Sequence, residues 1–227
     1  MLRPLNNNRE HTVIIDLVDY FDIKEINTNT GRRYITPQKR EYPSVTTVLS
    51  QMPKPELNAW KEQVGEEEAT RIMRTASNAG SQLHEACEKY LLQEELPYMP
   101  RNIRMLFNTL KPELNKIEVV KGVEIPLWSD YLKVAGRADC VAVYEGELSI
   151  IDFKNSRGHK EEAWIENYFL QTTIYAMMFM EMYKVPVKNI VIFMAVWDGS
   201  KLVFKQPVKQ RLEDVVDLMK EYNYMWK

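Results

Sequence analysis

The chain has 227 residues and a 45% hydrophobic content, enough for one domain with a packed core and too much for general disorder. Its 30 basic and 32 acidic residues leave a formal net charge of -2, so no bulk attraction to nucleic acid or anionic membrane exists and any polyanion site has to be local. Two cysteines, Cys87 and Cys140, exclude an unaided zinc ribbon or four-cysteine iron–sulfur cluster.

The opening "MLRPLNNNREH" is polar, shows no signal peptide, and no apolar run in the chain reaches membrane length, so no membrane partner is expected. From about Thr12 to Thr36 the pattern reads as strands, with "NTNTG" as a turn. "YPSVTTVLSQMP" opens a short helix with Ser44 as N-cap and a stop before Pro53. From Glu56 to roughly Gln93 the pattern is helical and acidic, and "PRNIRMLFNTLKPEL" predicts another helix. Strands follow in "IEVVKGVEIPLW" and in the hairpin "GRADCVAVYEGELSIIDFKNS". A long helix is expected over about Glu161 to Tyr183, then strands in "KNIVIFMAVW" and "KLVFKQP", then a closing helix in "RLEDVVDLMKEYNYMW". The order predicts an α/β domain: a mixed central sheet flanked by helices, with a helical part over about 44–115 and a core over about 117–227.

The hairpin raises the chemical question. With Glu145 and Gly146 as the loop, Tyr144 pairs with Glu147, Val143 with Leu148, Val141 with Ile150 and Asp139 with Asp152, whereas a Gly bulge at Gly146 would shift this register by one unless a second bulge restored it. Side chains alternate along a strand, so Asp139, Asp152 and Lys154 are expected on the face of Val141, Val143, Leu148 and Ile150. Directly opposed Cβ atoms lie roughly 4.5–5.5 Å apart, a distance at which two carboxylates repel unless a cation lies between them. Two carboxylates at one edge of an apolar face suit a hard divalent ion. A lone D-x-K is common by chance; the opposed carboxylates are what gives it weight.

Two helical pairs add to this. "AGSQLHEACEKYL" sets Gly80, His84 and Glu88 at successive i,i+4 steps, and "YFLQTTIYAMMF" sets Gln171 and Tyr175 at i,i+4 in an otherwise apolar helix. Each alone has a bland reading: a solvated His and Glu, and a buried hydrogen-bonding pair.

Taken in order, the helical His84, the G-x-x-D of Gly136 to Asp139, the D-x-K of Asp152 to Lys154 and the Q-x-x-x-Y of Gln171 to Tyr175 resemble the RecB-like branch of the PD-(D/E)XK (restriction-endonuclease-like) nucleases. "YPSVTTVLSQM", "LNAWKE" and "GSQLHEACE" resemble the mitochondrial genome maintenance exonuclease group and its phage-type relatives. The likeness runs from about Tyr42 to Tyr175; Asn155 stands where that group more often has Thr. It implies a metal-dependent deoxyribonuclease with Mg²⁺ or Mn²⁺ held by His84, Asp139, Asp152 and the Phe153 carbonyl. Lys154 then orients or deprotonates the attacking water, and Gln171 and Tyr175 position the site or the DNA backbone. No P-loop and no four-cysteine cluster accompany it, so a plain nuclease module in a cytoplasmic setting (a bacterial or phage-infected cell) is expected. One metal or two stays open.

Expected substrate contacts are Ser44 and Thr46 at a helix start and Arg137, Arg157 and Lys160 beside the carboxylates, with Trp60 and Tyr90 as stacking candidates. Ser44 and Thr46 read equally as a cap and nothing more. The resemblance further implies an arch built from the helices between Glu56 and Leu114, and selectivity for single-stranded DNA ends in processing, repair or replication. A structure-specific endonuclease and a non-cleaving DNA-binding protein on the same fold are the alternatives.

Overall fold

The computed structural model describes residues 12–13, 22–53 and 55–225. In chain order the strands are β1 (Thr12–Val13), β2 (Lys24–Thr28), β3 (Gly31–Ile35) and β4 (Glu41–Pro43), followed by helices α1 (Val45–Ser50), α2 (Pro55–Val64), α3 (Glu66–Leu91) and α4 (Arg101–Leu114). Then come β5 (Ile117–Ser129), β6 (Val134–Tyr144), β7 (Glu147–Ser156), α5 (Glu166–Tyr183), β8 (Asn189–Val196), β9 (Lys201–Pro207) and α6 (Leu212–Met225). Part of the expected Thr12–Thr36 strand region lies outside the described residues.

The main sheet runs β1-β5-β6-β7-β8-β9 and a smaller one runs β2-β3-β4. β7 and β8 pair in parallel while β5–β6, β6–β7 and β8–β9 are antiparallel, which gives the mixed sheet that the pattern predicts. A parallel pair needs a crossover, and α5 supplies it. β8, "NIVIFMAV", is buried along nearly its whole length, as befits a strand covered on both faces.

Helices cover the two faces unequally. On one side α1, α5 and α6 pack on Val141, Ile150, Ile190, Ile192 and Met194. On the other, α3 and α4 pack on Cys140, Ala142, Ile151, Phe153 and Phe193. α4 buries Ile103, Leu106, Phe107, Leu110 and Leu114, the three-and-four spacing of an amphipathic helix.

Two elements differ from expectation. The acidic helical stretch is two helices, broken at Gly65, whose φ is 85°. Glu66, Glu67 and Glu68 then occupy the first turn of α3, where negative charge complements the helix dipole. The helix expected from Glu161 begins instead as a single 3₁₀ turn, Glu162–Trp164, and becomes α-helical after Ile165. The helices between Glu56 and Leu114 also do not form an arch as a block. The second half of α3 and all of α4 complete the sheet's core, which leaves α2 and the first half of α3 standing off it.

Candidate active site

The site grows out of the hairpin. Glu145 and Gly146 have φ of 51° and 76°, the two left-handed residues of a type I′ turn. This turn sets the expected register, which holds from Tyr144↔Glu147 through Cys140↔Ile151. There the ladder opens: the Phe153 amide donates to Asp139 Oδ2 at 2.8 Å, a side-chain carboxylate standing in for a backbone carbonyl.

The neighbouring strand turns over at the same level. Val123 and Ile125 are two residues apart yet enter opposite cores, as do Cys140 and Ala138. Between Val123↔Cys140 and Ile125↔Ala138 lie Glu124 and Asp139, and Glu124 has φ of 50°, a strained value for this side chain. The single face expected to carry both aspartates therefore ends at Val141. Asp139 is instead delivered toward α3.

Two lobes result, joined through the Phe153 peptide. In the first, His84 Nδ1 lies 3.3 Å from Asp139 Oδ2 and His84 Nε2 lies 2.5 Å from the Phe153 carbonyl oxygen. One ligand atom each of His84, Glu124 and Asp139 falls within 4.8 Å of the others. Burial, with the Asp139 and Glu88 charges adding to it, pushes Glu124 up to about 7. Glu88, one turn beyond His84, is itself raised, chiefly by burial.

In the second lobe Asp152, 1% exposed, ion-pairs through Oδ2 with the Lys154 ammonium and accepts a hydrogen bond on Oδ1 from Gln171 Nε2 at 3.1 Å. Among the described residues the Lys154 ammonium is the one partner of the buried Asp152 Oδ2. Burial is the largest influence on this carboxyl and raises it to about 6; Lys154 opposes the rise and Asp139 adds to it. Burial acts to lower Lys154, but the Asp152 and Asp139 carboxylates outweigh it and hold the amine above its ordinary value. Lys154 also lies 5.2 Å from the Tyr168 ring centroid. Tyr175 is raised well above its ordinary value by burial and then by Asp139 and Asp152. Its ring packs so closely on Gly136 that a Cβ there would stand 2.9 Å from Tyr175 Cε1, which is why this strand position has no side chain.

The remaining sequence candidates fall as follows. Ser44 is the N-cap of α1, accepting from the Thr47 amide at 3.0 Å, and is buried, so its hydroxyl belongs to the cap. Thr46 is exposed and accepts from Arg32 Nη2 at 3.0 Å. Arg137 donates to Asp22 Oδ1 and Arg157 is exposed beyond the end of β7. Tyr90 is buried against Phe107 with its hydroxyl on Asn115, out of reach of any base. Asn155 accepts from the Trp197 indole at 3.2 Å, and its amide nitrogen faces Gly80 of α3.

Sequence reasoning missed Glu124 and Arg32. Arg32 comes from the small sheet and its charge reaches both Glu124 and Tyr175. One signal for Glu124 existed: an acid in the apolar run "KGVEIPLW".

A mixed sheet closed by an α5 crossover, with D-x-K at its split edge, a helical His facing it and Q-x-x-x-Y behind it, defines a nuclease of the PD-(D/E)XK architecture. A sequence model of the PD-(D/E)XK nuclease superfamily matches residues 37–222, and the chain belongs to that superfamily. The mouse mitochondrial genome maintenance exonuclease 1 is 32% identical over 133 residues, which is 54% of this chain and 39% of that protein. Its human counterpart is 31% identical over 179 residues, 72% of this chain and 52% of that protein. The chain thus spans about half the length, or less, of these relatives. A solved structure, "Crystal structure of SSO0001", superposes with a TM-score of 0.41 at 17% identity over 80% of this chain and 75% of that one.

Members of this superfamily use divalent metals, and the residues present fit one. The donors are carboxylate, imidazole and backbone carbonyl, a set suited to Mg²⁺ or Mn²⁺. Asp152 is buried beside the charge of Asp139, and Asp139 and Glu124 stand together with His84, a crowding of acids that a cation relieves.

Proposed function

We propose that this chain is a metal-dependent DNA exonuclease that hydrolyses phosphodiester bonds at single-stranded ends. The observation that carries the reading is the pairing of Asp152 with Lys154 and Gln171, one peptide away from the His84, Asp139 and Glu124 cluster. The exonuclease names of the two relatives support it.

His84, Asp139, Asp152 and the Phe153 carbonyl would hold the ion, with Glu124 as a further acid beside it. The ion would supply Lewis acidity and a more acidic bound water. The chain's own groups do the rest. Gln171 fixes the Asp152 carboxylate, and through it the orientation of the pair with Lys154. Lys154, held cationic between two acids, orients the attacking water and offsets negative charge growing on the phosphoryl oxygens. Tyr175 closes the floor against Gly136 and keeps bulk water from the acids. Arg32 and Thr46 on one side, and Arg137 and Arg157 on others, would meet the DNA backbone.

Selectivity for single strands follows from charge and shape. A net charge of -2 gives no diffuse hold on a duplex, so binding has to come from a confined groove. The groove walls would be α2 and the first half of α3, which admit a flexible strand more readily than a stiff duplex. Digestion of end-labelled linear and circular single-stranded DNA with Mg²⁺ or Mn²⁺ tests the reading. Linear strands should be shortened to oligonucleotides with 5′-phosphates, blunt duplex cut weakly and circles left intact. Efficient cutting of circles would move the assignment to an endonuclease of the same fold.

A further inference from the structure

A cleft of about 1050 Å³ opens between the α1–α2 connection and the segment joining β7 to α5, with Tyr168, a neighbour of Lys154, in its wall. Its lining brings Trp60 from α2, Trp164 from the 3₁₀ turn and Tyr168 from α5 together, with Met52 and Leu57 on the α2 side and Arg157 and Lys160 on the other. Trp164 is 64% exposed, a large apolar surface left in water. Tyr168 belongs to the site as well, since its ring lies against the Lys154 ammonium. The cleft and the candidate catalytic lysine therefore share the Tyr168 ring.

Its charge is one-sided. Glu166, the acid in the lining, is engaged by Arg211 at 2.6 Å, and His159 is held by Ser200 and Asp198. Among the described residues Arg157 and Lys160 make no salt bridge. Two cations outside any salt bridge, Arg157 with its charge also felt at Glu68, beside three aromatic rings match a strand that carries phosphates and flat bases. Duplex bases are already stacked on each other and cannot offer their faces.

We infer that this cleft is a base-stacking platform for single-stranded DNA. Trp60 and Trp164 take unstacked bases, Arg157 and Lys160 hold the adjoining phosphates, and the strand passes over Tyr168 to Lys154. The inference rests on the proposed nuclease reading and deepens it: strand selectivity comes from base stacking, not only from the width of the groove.

The test separates bases from backbone. Binding of a fluorescein-labelled thymidine homopolymer and of the same length of abasic deoxyribose-phosphate is followed by anisotropy in Ca²⁺, with KM for linear single strands measured in Mn²⁺. The wild type should bind the thymidine strand about 10-fold more tightly than the abasic one. Trp164→Ala and Trp60→Ala should each weaken thymidine binding severalfold, raise KM with kcat little changed and leave abasic binding alone; Trp164→Phe should restore most of the loss. Arg157→Ala should weaken both strands alike. Tyr131→Ala, an exposed aromatic on the β5–β6 turn, is the control and should change nothing. Equal affinity of the wild type for the two strands, or Trp variants that bind both as the wild type does, would overturn the platform. Because binding is read without cleavage, an inactive protein would count against the nuclease reading while the two strands still decide the stacking claim.

Discussion

Among the described residues Glu113 and Asp152 are the most deeply buried carboxylates, and they are treated in opposite ways. Glu113, 2% exposed at the end of α4, receives a hydrogen bond from the Tyr144 hydroxyl at 3.1 Å and ion-pairs with Lys116 at 2.9 Å and Lys201 at 2.6 Å. Burial alone would raise it, but these donors outweigh burial and hold it below the ordinary glutamate value. Asp152, 1% exposed, has Lys154 on one oxygen and Gln171 on the other, yet burial and the Asp139 charge outweigh them and raise it to about 6. A fully partnered buried acid ties elements together, here α4 to β6 and β9. A buried acid whose partners do not offset burial and a neighbouring acid costs stability, and a bound cation would relieve that cost.

Substitution separates the two acids most sharply. Asp152→Asn, Asp139→Asn and Lys154→Ala should each lower cleavage by about 10³-fold while DNA binding stays within a few-fold, since each removes a group acting on the reacting phosphate. Loss of binding in parallel with cleavage for Lys154→Ala would make that residue a phosphate anchor instead. In the metal-free protein Asp152→Asn should leave the melting temperature nearly unchanged, because relief of burial and of the repulsion from Asp139 offsets the lost pairing with Lys154, which keeps Asp139 as a counter-charge. Glu113→Gln should do the reverse, lowering stability by about 2 kcal/mol, roughly 4–8 °C, with kcat intact. A Glu113→Gln protein as stable as the wild type would erase the contrast.

A smaller effect sharpens it through pH. Asp152 and Glu124, with folded values of about 6 and about 7, keep protons that the unfolded chain has already released. Their raised values contribute stability that is fully present below about pH 4 and is lost as the pH rises through 6 and 7. Glu113, lowered in the fold, contributes above its unfolded value and loses that contribution as the pH falls through its folded one. The metal-free wild type should therefore lose stability between pH 5 and pH 8, and the loss should shrink in Asp152→Asn and in Glu124→Gln, read by thermal denaturation in EDTA.

Much of this is legible in the sequence. The hairpin register follows from one turn, because a two-residue loop fixes every pair behind it. His84, Gln171 and Tyr175 are marked by polar character at helical spacing. Glu124 was hidden because its partner is Asp139 on another strand, and the β5–β6 ladder carries two register shifts that no local pattern announces. Arg32 was hidden for a related reason: it arrives from the small sheet, and local periodicity does not say where that sheet docks. The break at Gly65 was readable, since a glycine followed by three glutamates is a helix start. The acidic helical pattern on both sides concealed it. The turning over of β5 and β6 at Glu124 and Asp139 is tertiary, and strict alternation led to the wrong face for Asp139.

The central claim is that the acids around the Phe153 peptide are assembled to hold a divalent cation. Thermal denaturation at neutral pH with and without Mn²⁺ tests it most directly. The wild type should gain several degrees on adding the ion at a concentration well above its dissociation constant, while Asp139→Asn and Asp152→Asn should gain almost nothing. Equal gains in all three proteins, or no gain in a wild type that cleaves DNA normally, would contradict the account.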